Sequence, residues 1–142
     1  MKRPVTTAAA VLLATVCCAA AQAGDIDLTL KGVQPKGGKI LVTVQSRDQY
    51  MQRAQTSGAI VDGASSGVVK VRLPNVPAGD YAVSVLHDVD GNFDMTTDAN
   101  GKIAEGWSTL NAASLRAKPT FDQVKVSVNG DAAISETMIY PK

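Results

Sequence analysis

The sequence predicts an all-β domain, an antiparallel β-sandwich of immunoglobulin-like or transthyretin-like type with about seven strands. Three observations carry this. Apolar residues alternate with period two in several short runs, the signature of half-buried strands. Turn signals recur between those runs at sandwich spacing. No segment shows a convincing helical period. With few aromatics, Val, Ile and Leu must fill most of the core.

The first strand is expected at Asp25–Lys31 (Asp-Ile-Asp-Leu-Thr-Leu-Lys) and ends at a Gln34-Pro35-Lys36-Gly37-Gly38 turn. Lys39–Val44 is β-branched and reads as the second strand, hairpinned to the first. Ser46–Ser57 reads as loop or irregular strand, although Tyr50, Met51 and Ala54 would also suit a short helical turn. Gly58–Val61 suits an edge strand, followed by a turn over Asp62–Gly67. Val68–Leu73 places Val69, Val71 and Leu73 on one face and Val68, Lys70 and Arg72 on the other.

Two prolines and a glycine make Leu73–Tyr81 a tight corner. The strand from Tyr81 to Leu86 has Tyr81, Val83 and Val85 on one face. By analogy with the tyrosine corner of sandwiches, the Tyr81 hydroxyl is expected to pin the corner's backbone. Asn111–Lys118 is polar and irregular. A strand is expected from Phe121 to Val128, with Val124, Val126 and Val128 on one side. Asn129-Gly130-Asp131 then signals a hairpin into a last strand, Ala132–Tyr140, with Ile134, Met138 and Tyr140 facing in.

The N-terminus reads as a targeting segment. Met1-Lys2-Arg3 is followed by the Ala-rich apolar run Ala8–Ala21, which is shorter than the ~20 residues of a membrane span, and by the small-x-small site Ala21-Gln22-Ala23. The expectation is a cleaved signal peptide over 1–23, one domain over 24–142, and a periplasmic or secreted product with no membrane insertion after cleavage. Cys17 and Cys18 both lie in that segment, so the mature chain has neither disulfide nor thiol chemistry. Losing Lys2 and Arg3 takes the 14 basic residues to 12 against 13 acidic ones. No basic cluster remains, which argues against a nucleic-acid partner. The mature protein is expected to be a monomer, and no protein partner is legible.

Most of the chemistry-bearing side chains sit between Tyr81 and Trp107, including the only His and the only Trp. The strand ends in His87-Asp88-Val89-Asp90-Gly91-Asn92. Asp88, Asp90 and Asn92 alternate, and Gly91 permits a sharp turn. Alternating oxygen donors on a tight loop can converge on a hard cation, Ca²⁺ above all, which takes six to eight oxygens. Asp94, Asp98 and Glu105 are further candidate ligands, and Asn100 another oxygen donor. The EF-hand spacing fails, because Phe93 and Ala99 stand where Gly and Glu are required. The alternative is a solvated Asp/Asn/Gly turn that binds nothing. His87, Gly91, Gly101, Gly106 and Trp107 are read as residues that shape the loop, with His87 bonding backbone and Trp107 covering the loop base.

The order of these motifs resembles a family of small bacterial exported domains of unknown function. The shared pattern is a Pro-x-Gly-x-Tyr corner (Pro77–Tyr81), a His-Asp-x-Asn/Asp-Gly-Asn run (here His87–Asn92, with Asp90 at the Asn/Asp position), a closing Gly101 and Glu105-Gly106, and a late Pro-x-Phe (Pro119–Phe121). Three positions depart from it. Phe93 replaces a Gly, Thr96 an Asp and Ile103 a Pro. If the loop holds a cation, Thr96 removes one ligand, for which Asp94 or Asp98 is a candidate substitute. The resemblance implies fold and export and assigns no activity. The leading functional expectation is a non-catalytic exported module whose loop takes Ca²⁺ or a partner. The alternative is a small hydrolase or lyase using His87 and Glu105, without a nucleophile elbow around Ser84, Ser108 or Thr109.

Overall fold

Eight strands form two facing sheets in the computed structural model, which describes residues 21–142. The expected signal core and both cysteines lie outside the described residues. One sheet has three strands: β1 (Gly24–Val33) lies between β4 (Gly67–Val76) and β8 (Ala132–Thr137). The other runs β3 (Ser57–Asp62), β2 (Lys39–Gln45), β5 (Gly79–Asp88), β6 (Gly106–Thr109). β5 is its axis. β2 pairs along most of one side of β5, while the other side is shared by β7 (Lys125–Val128) at residues 79–82 and β6 at 84–87. All pairings are antiparallel except β1 with β8.

The core follows period two. Ile26, Leu28 and Leu30 of β1, Val71 and Leu73 of β4, Ile40, Val42 and Val44 of β2, and Tyr81, Val83 and Val85 of β5 are buried between the sheets. A smaller cluster, Ala82, Phe121 and Val124 with Tyr50 and Leu115 packed on it, covers the opposite side of β5. β3 lies at the sheet edge as expected. β4 runs on through Pro74 to Val76, so the expected corner begins later than Leu73.

Several expectations about pairing were wrong. β1 and β2 are in different sheets and form no hairpin. The Gln34–Gly38 connection crosses the sandwich, held by Gly37 N–H on the Gly63 carbonyl (3.1 Å) and Gly63 N–H on the Gly38 carbonyl (3.2 Å). Asn129-Gly130 also crosses between sheets, since β7 pairs with β5 and β8 with β1. The strand expected from Phe121 begins only at Lys125. Phe121–Val124 is a single helical turn, α1, whose entry carries a capping box: Thr120 with Gln123. Phe121 and Val124, three apart, are both buried on that turn. Ser46–Ser57 contains a 3-10 turn at Arg47–Gln49, earlier than the Tyr50–Ala54 spacing suggested. Its Tyr50 meets Phe121 edge-on at 5.6 Å and donates to the Pro119 carbonyl.

β8 ends at Thr137, short of Tyr140; its inward face carries Ile134 and Glu136, and Met138 is buried just beyond its end. The Tyr81 hydroxyl makes no hydrogen bond among the described residues, so it does not pin the corner. Its ring packs against Gly79 instead, 3.4 Å from where a side-chain carbon there would stand. Among the described residues no helix is long and apolar enough to cross a membrane.

Candidate functional site

β5 delivers His87 and Asp88 to the end of the sandwich on opposite faces. His87 continues the inward parity of Tyr81, Val83 and Val85 and is fully buried. Its Nε2 lies 2.8 Å from the Gly37 carbonyl, and its Nδ1 lies 2.8 Å from the Tyr140 hydroxyl. A carbonyl can only accept, so Nε2 carries the proton. Nδ1 is hydrogen-bonded to the Tyr140 hydroxyl, whose oxygen in turn accepts the Gln34 N–H at 3.0 Å. The Gly37 carbonyl thus fixes a proton on Nε2.

Two glycines make room for this arrangement. A side-chain carbon at Gly106 would run into the Tyr140 ring, and one at Gly63 would stand 2.7 Å from His87 Nε2. His87 was expected to bond the backbone of the loop that follows it; it bonds instead the Gly37 carbonyl of the β1–β2 connection and the Tyr140 hydroxyl. Tyr140, Gln34 and Gly63 were not foreseen as its surroundings.

Asp88 projects to the other face and is also fully buried. It organises the turn that follows. Oδ1 accepts the N–H groups of Gly91 (2.8 Å) and Asn92 (3.2 Å), and Oδ2 accepts that of Phe93 (3.1 Å). Gly91 turns in the left-handed region, φ 76°. Glu105, buried at the far end of the loop, accepts Val89 N–H on Oε1 (3.0 Å) and Thr96 N–H on Oε2 (3.1 Å). Asp90 is exposed. It accepts Asn92 N–H on Oδ1 and both the Asn92 amide and the Thr96 hydroxyl on Oδ2.

Asp88, Asp90 and Glu105 bring carboxylate oxygens within 4.8 Å of one another. None of the three is ion-paired among the described residues. A carboxylate offers about four lone-pair sites. By that count Asp88 and Asp90 each keep one free and Glu105 two.

The other expected ligands do not join them. Asp98 caps its own turn, accepting Asn100 and Lys102 N–H groups on Oδ1, while Gly101 N–H bonds the Asp98 carbonyl. Asp94 accepts Met95 N–H and lies 3.7 Å from Arg53. Asn92 borders the cluster through its bonds to Asp90 and Thr96. His87 and Glu105 share no hydrogen bond, each being engaged elsewhere. Trp107 is half-buried. Its backbone exchanges two hydrogen bonds with Ile139, which tie β6 to the segment carrying Tyr140.

A family model described as an uncharacterized protein conserved in bacteria, DUF2141, matches residues 28–135. The chain belongs to this family. No curated protein and no solved structure matches it. The match ends before Tyr140, so the His87 partner lies beyond the stretch that defines DUF2141 here.

Two of the departures noted in the sequence now have physical content. Phe93, at the position where a Gly was expected, has φ 58°, in the left-handed region that costs a side chain about 1–2 kcal/mol. Its exposed ring lies 5.0 Å beneath Lys39 Nζ. Thr96, where an Asp was expected, stands at the cluster itself, and its hydroxyl bridges Asp90 and Asn92. An Asp there would put a fourth carboxylate at the site. Neither Asp94 nor Asp98 compensates for it.

Proposed function

We propose that this DUF2141 chain is an exported, non-catalytic, monomeric β-sandwich module whose loop binds Ca²⁺ through Asp88, Asp90 and Glu105. The convergence of three carboxylates without a basic partner carries the reading. Hard oxygen donors suit Ca²⁺, and an ion would relieve the mutual repulsion of the three charges. The hydrogen bonds from Gly91, Asn92, Phe93, Val89 and Thr96 hold two of the ligands in place beforehand. The non-catalytic half of the reading is supported by His87, which is buried with both nitrogens engaged. A general base needs a free nitrogen facing a substrate. Export is supported by the Met1–Ala23 sequence pattern.

The test is a thermal melt with Ca²⁺ and with chelator. With a neutral Thr96 in the cluster, affinity is expected in the ~10⁻⁴–10⁻³ M range. At ~1 mM free ion and a Kd of ~10⁻⁴ M the folded state gains about 1.4 kcal/mol, a few degrees in midpoint for a domain of this size. Asp90→Ala should abolish the shift and Thr96→Asp should enlarge it. Identical wild-type melts in millimolar Ca²⁺ and in chelator would refute the ion reading.

A further inference from the structure

Away from the loop, Glu136 is anomalous. It is only 4% exposed, on the inward face of β8, and neither carboxyl oxygen has a hydrogen-bond partner among the described residues. Buried carboxyls are nearly always satisfied. The hydroxyls near it donate to backbone carbonyls, although Ser108 lies close enough to act on the carboxyl. Ser108 Oγ donates to the Thr137 carbonyl (3.1 Å), Thr109 Oγ1 to the Val83 carbonyl (3.0 Å) and Ser114 Oγ to the Asn111 carbonyl (2.8 Å).

The charged residues of the neighbouring β1, namely Asp25, Asp27 and Lys31, alternate onto its other face. β6 and the 3-10 turn Ala112–Ser114 carry no charge. Glu136 also lies beneath an open surface depression of about 340 Å³, lined by residues 109–114 and 135–137. Its wall combines hydroxyls with the apolar Leu110, Ala112 and Ala113, and Glu136 is its only ionisable side chain.

We infer that this depression, opened toward Glu136 by movement of the Ala112–Ser114 turn, is a binding site for a small organic cation, an alkylammonium group, with Glu136 as its counter-ion. The donors that the carboxylate lacks are those an ammonium brings. One positive charge balances one negative, and the hydroxyl oxygens around it can accept the remaining N–H groups. A short alkyl chain would lie on Leu110 and the two alanines. The volume is at the small end for ligand pockets, which fits a ligand of few heavy atoms. Both carboxyl oxygens are sealed from water, so the ligand reaches them by displacing the Ala112–Ser114 turn, held by Ser114 N–H on Asn111 and Leu115 N–H on Ala112. Burial favours the neutral carboxyl and lifts its pKa to about 7, with Ser108 acting weakly the other way. Binding should therefore strengthen as pH rises through neutrality.

The probe is n-butylammonium, with n-butanol as its uncharged counterpart, titrated calorimetrically into the full mature domain. The amine should bind at about pH 8 and more weakly at about pH 5.5, and n-butanol should not bind. Glu136→Gln should weaken the amine at least about tenfold, as expected for losing a charge-assisted hydrogen bond. Amide exchange at Ser114 and Leu115 should change on binding in the wild type only. Asp90→Ala, which tests the calcium reading, should leave amine binding intact. Equal binding of amine and alcohol, full binding in Glu136→Gln, or no binding of the amine at about pH 8 would each overturn the inference.

Discussion

Replacing Glu136 with Gln should flatten the pH dependence of stability between about pH 5 and pH 8. In the unfolded chain the carboxyl ionises near its ordinary value of 4.5, whereas in the fold burial holds the proton until about pH 7. Below the lower value both states are protonated and the residue makes no difference. Between the two values the folded state binds more protons, so stability falls as pH rises. Above the upper value the loss is complete. At about 1.36 kcal/mol per unit, the interval from 4.5 to about 7 amounts to about 3 kcal/mol. The paired carboxylates do not interfere. Asp25 is held low chiefly by the Asn75 N–H and by Arg72, Asp80 by Lys125, and Asp122 by Arg47. Their contributions are lost only as pH falls below the ordinary carboxylate range. Urea melts of wild type and Glu136→Gln at half-unit pH steps measure the effect as the difference between the two curves. The variant should lack the decline and overtake the wild type above neutrality. Parallel curves would show that the carboxyl reaches water or a partner in the fold.

Three further outcomes rest on single contacts. Tyr140→Phe removes the hydroxyl that joins Gln34 N–H to His87 Nδ1, and should cost about 1–3 kcal/mol in urea melts. Tyr81→Phe removes a hydroxyl without a partner among the described residues, and its midpoint should stay within about 0.5 kcal/mol of wild type. Phe93→Gly trades relief of the left-handed backbone, about 1–2 kcal/mol, against greater unfolded-state freedom and a Lys39 contact worth about 0.5 kcal/mol. A small gain is expected, whereas Phe93→Ala keeps the strain, loses the ring and should be less stable than wild type.

Strand faces were legible because period-two burial is a local property. Val69, Val71 and Leu73, or Tyr81, Val83 and Val85, announce their side of a sheet without reference to any partner. Pairing is not local. Asn129-Gly130 has the turn chemistry of a hairpin, yet its flanking strands pair with β5 and β1, which nothing at the turn encodes. Phe121 and Val124 fit a strand or one helical turn, and the Thr120–Gln123 capping box was the overlooked signal. In the loop, the alternation of Asp88, Asp90 and Asn92 foretold an organised turn. That Glu105 rather than Asp94 or Asp98 completes the carboxylate group depends on how residues 93–104 fold back. Glu136 had a readable sign, since it shares the parity of Ile134 and Met138. An acid at a core position is easily passed over when its neighbours are read for hydrophobicity alone. Tyr140 stands 53 residues from His87, and no spacing rule would have joined them.

The parallel pairing of β1 with β8 sets the order in which the fold can assemble. Ile26 lies beside Ala132 and Leu30 beside Glu136, so the central strand of the three-stranded sheet gains its second neighbour only when the two ends of the domain meet. Closing so long a loop is entropically costly before any contact offsets it, and topologies of this kind refold in milliseconds to seconds rather than microseconds. Until β8 arrives, one edge of β1 is unpaired while Leu28 and Leu30 lack Ile134 beside them. A chain lacking residues 132–142 therefore exposes an apolar strand edge, the feature through which β-proteins associate, and aggregation should compete with its folding.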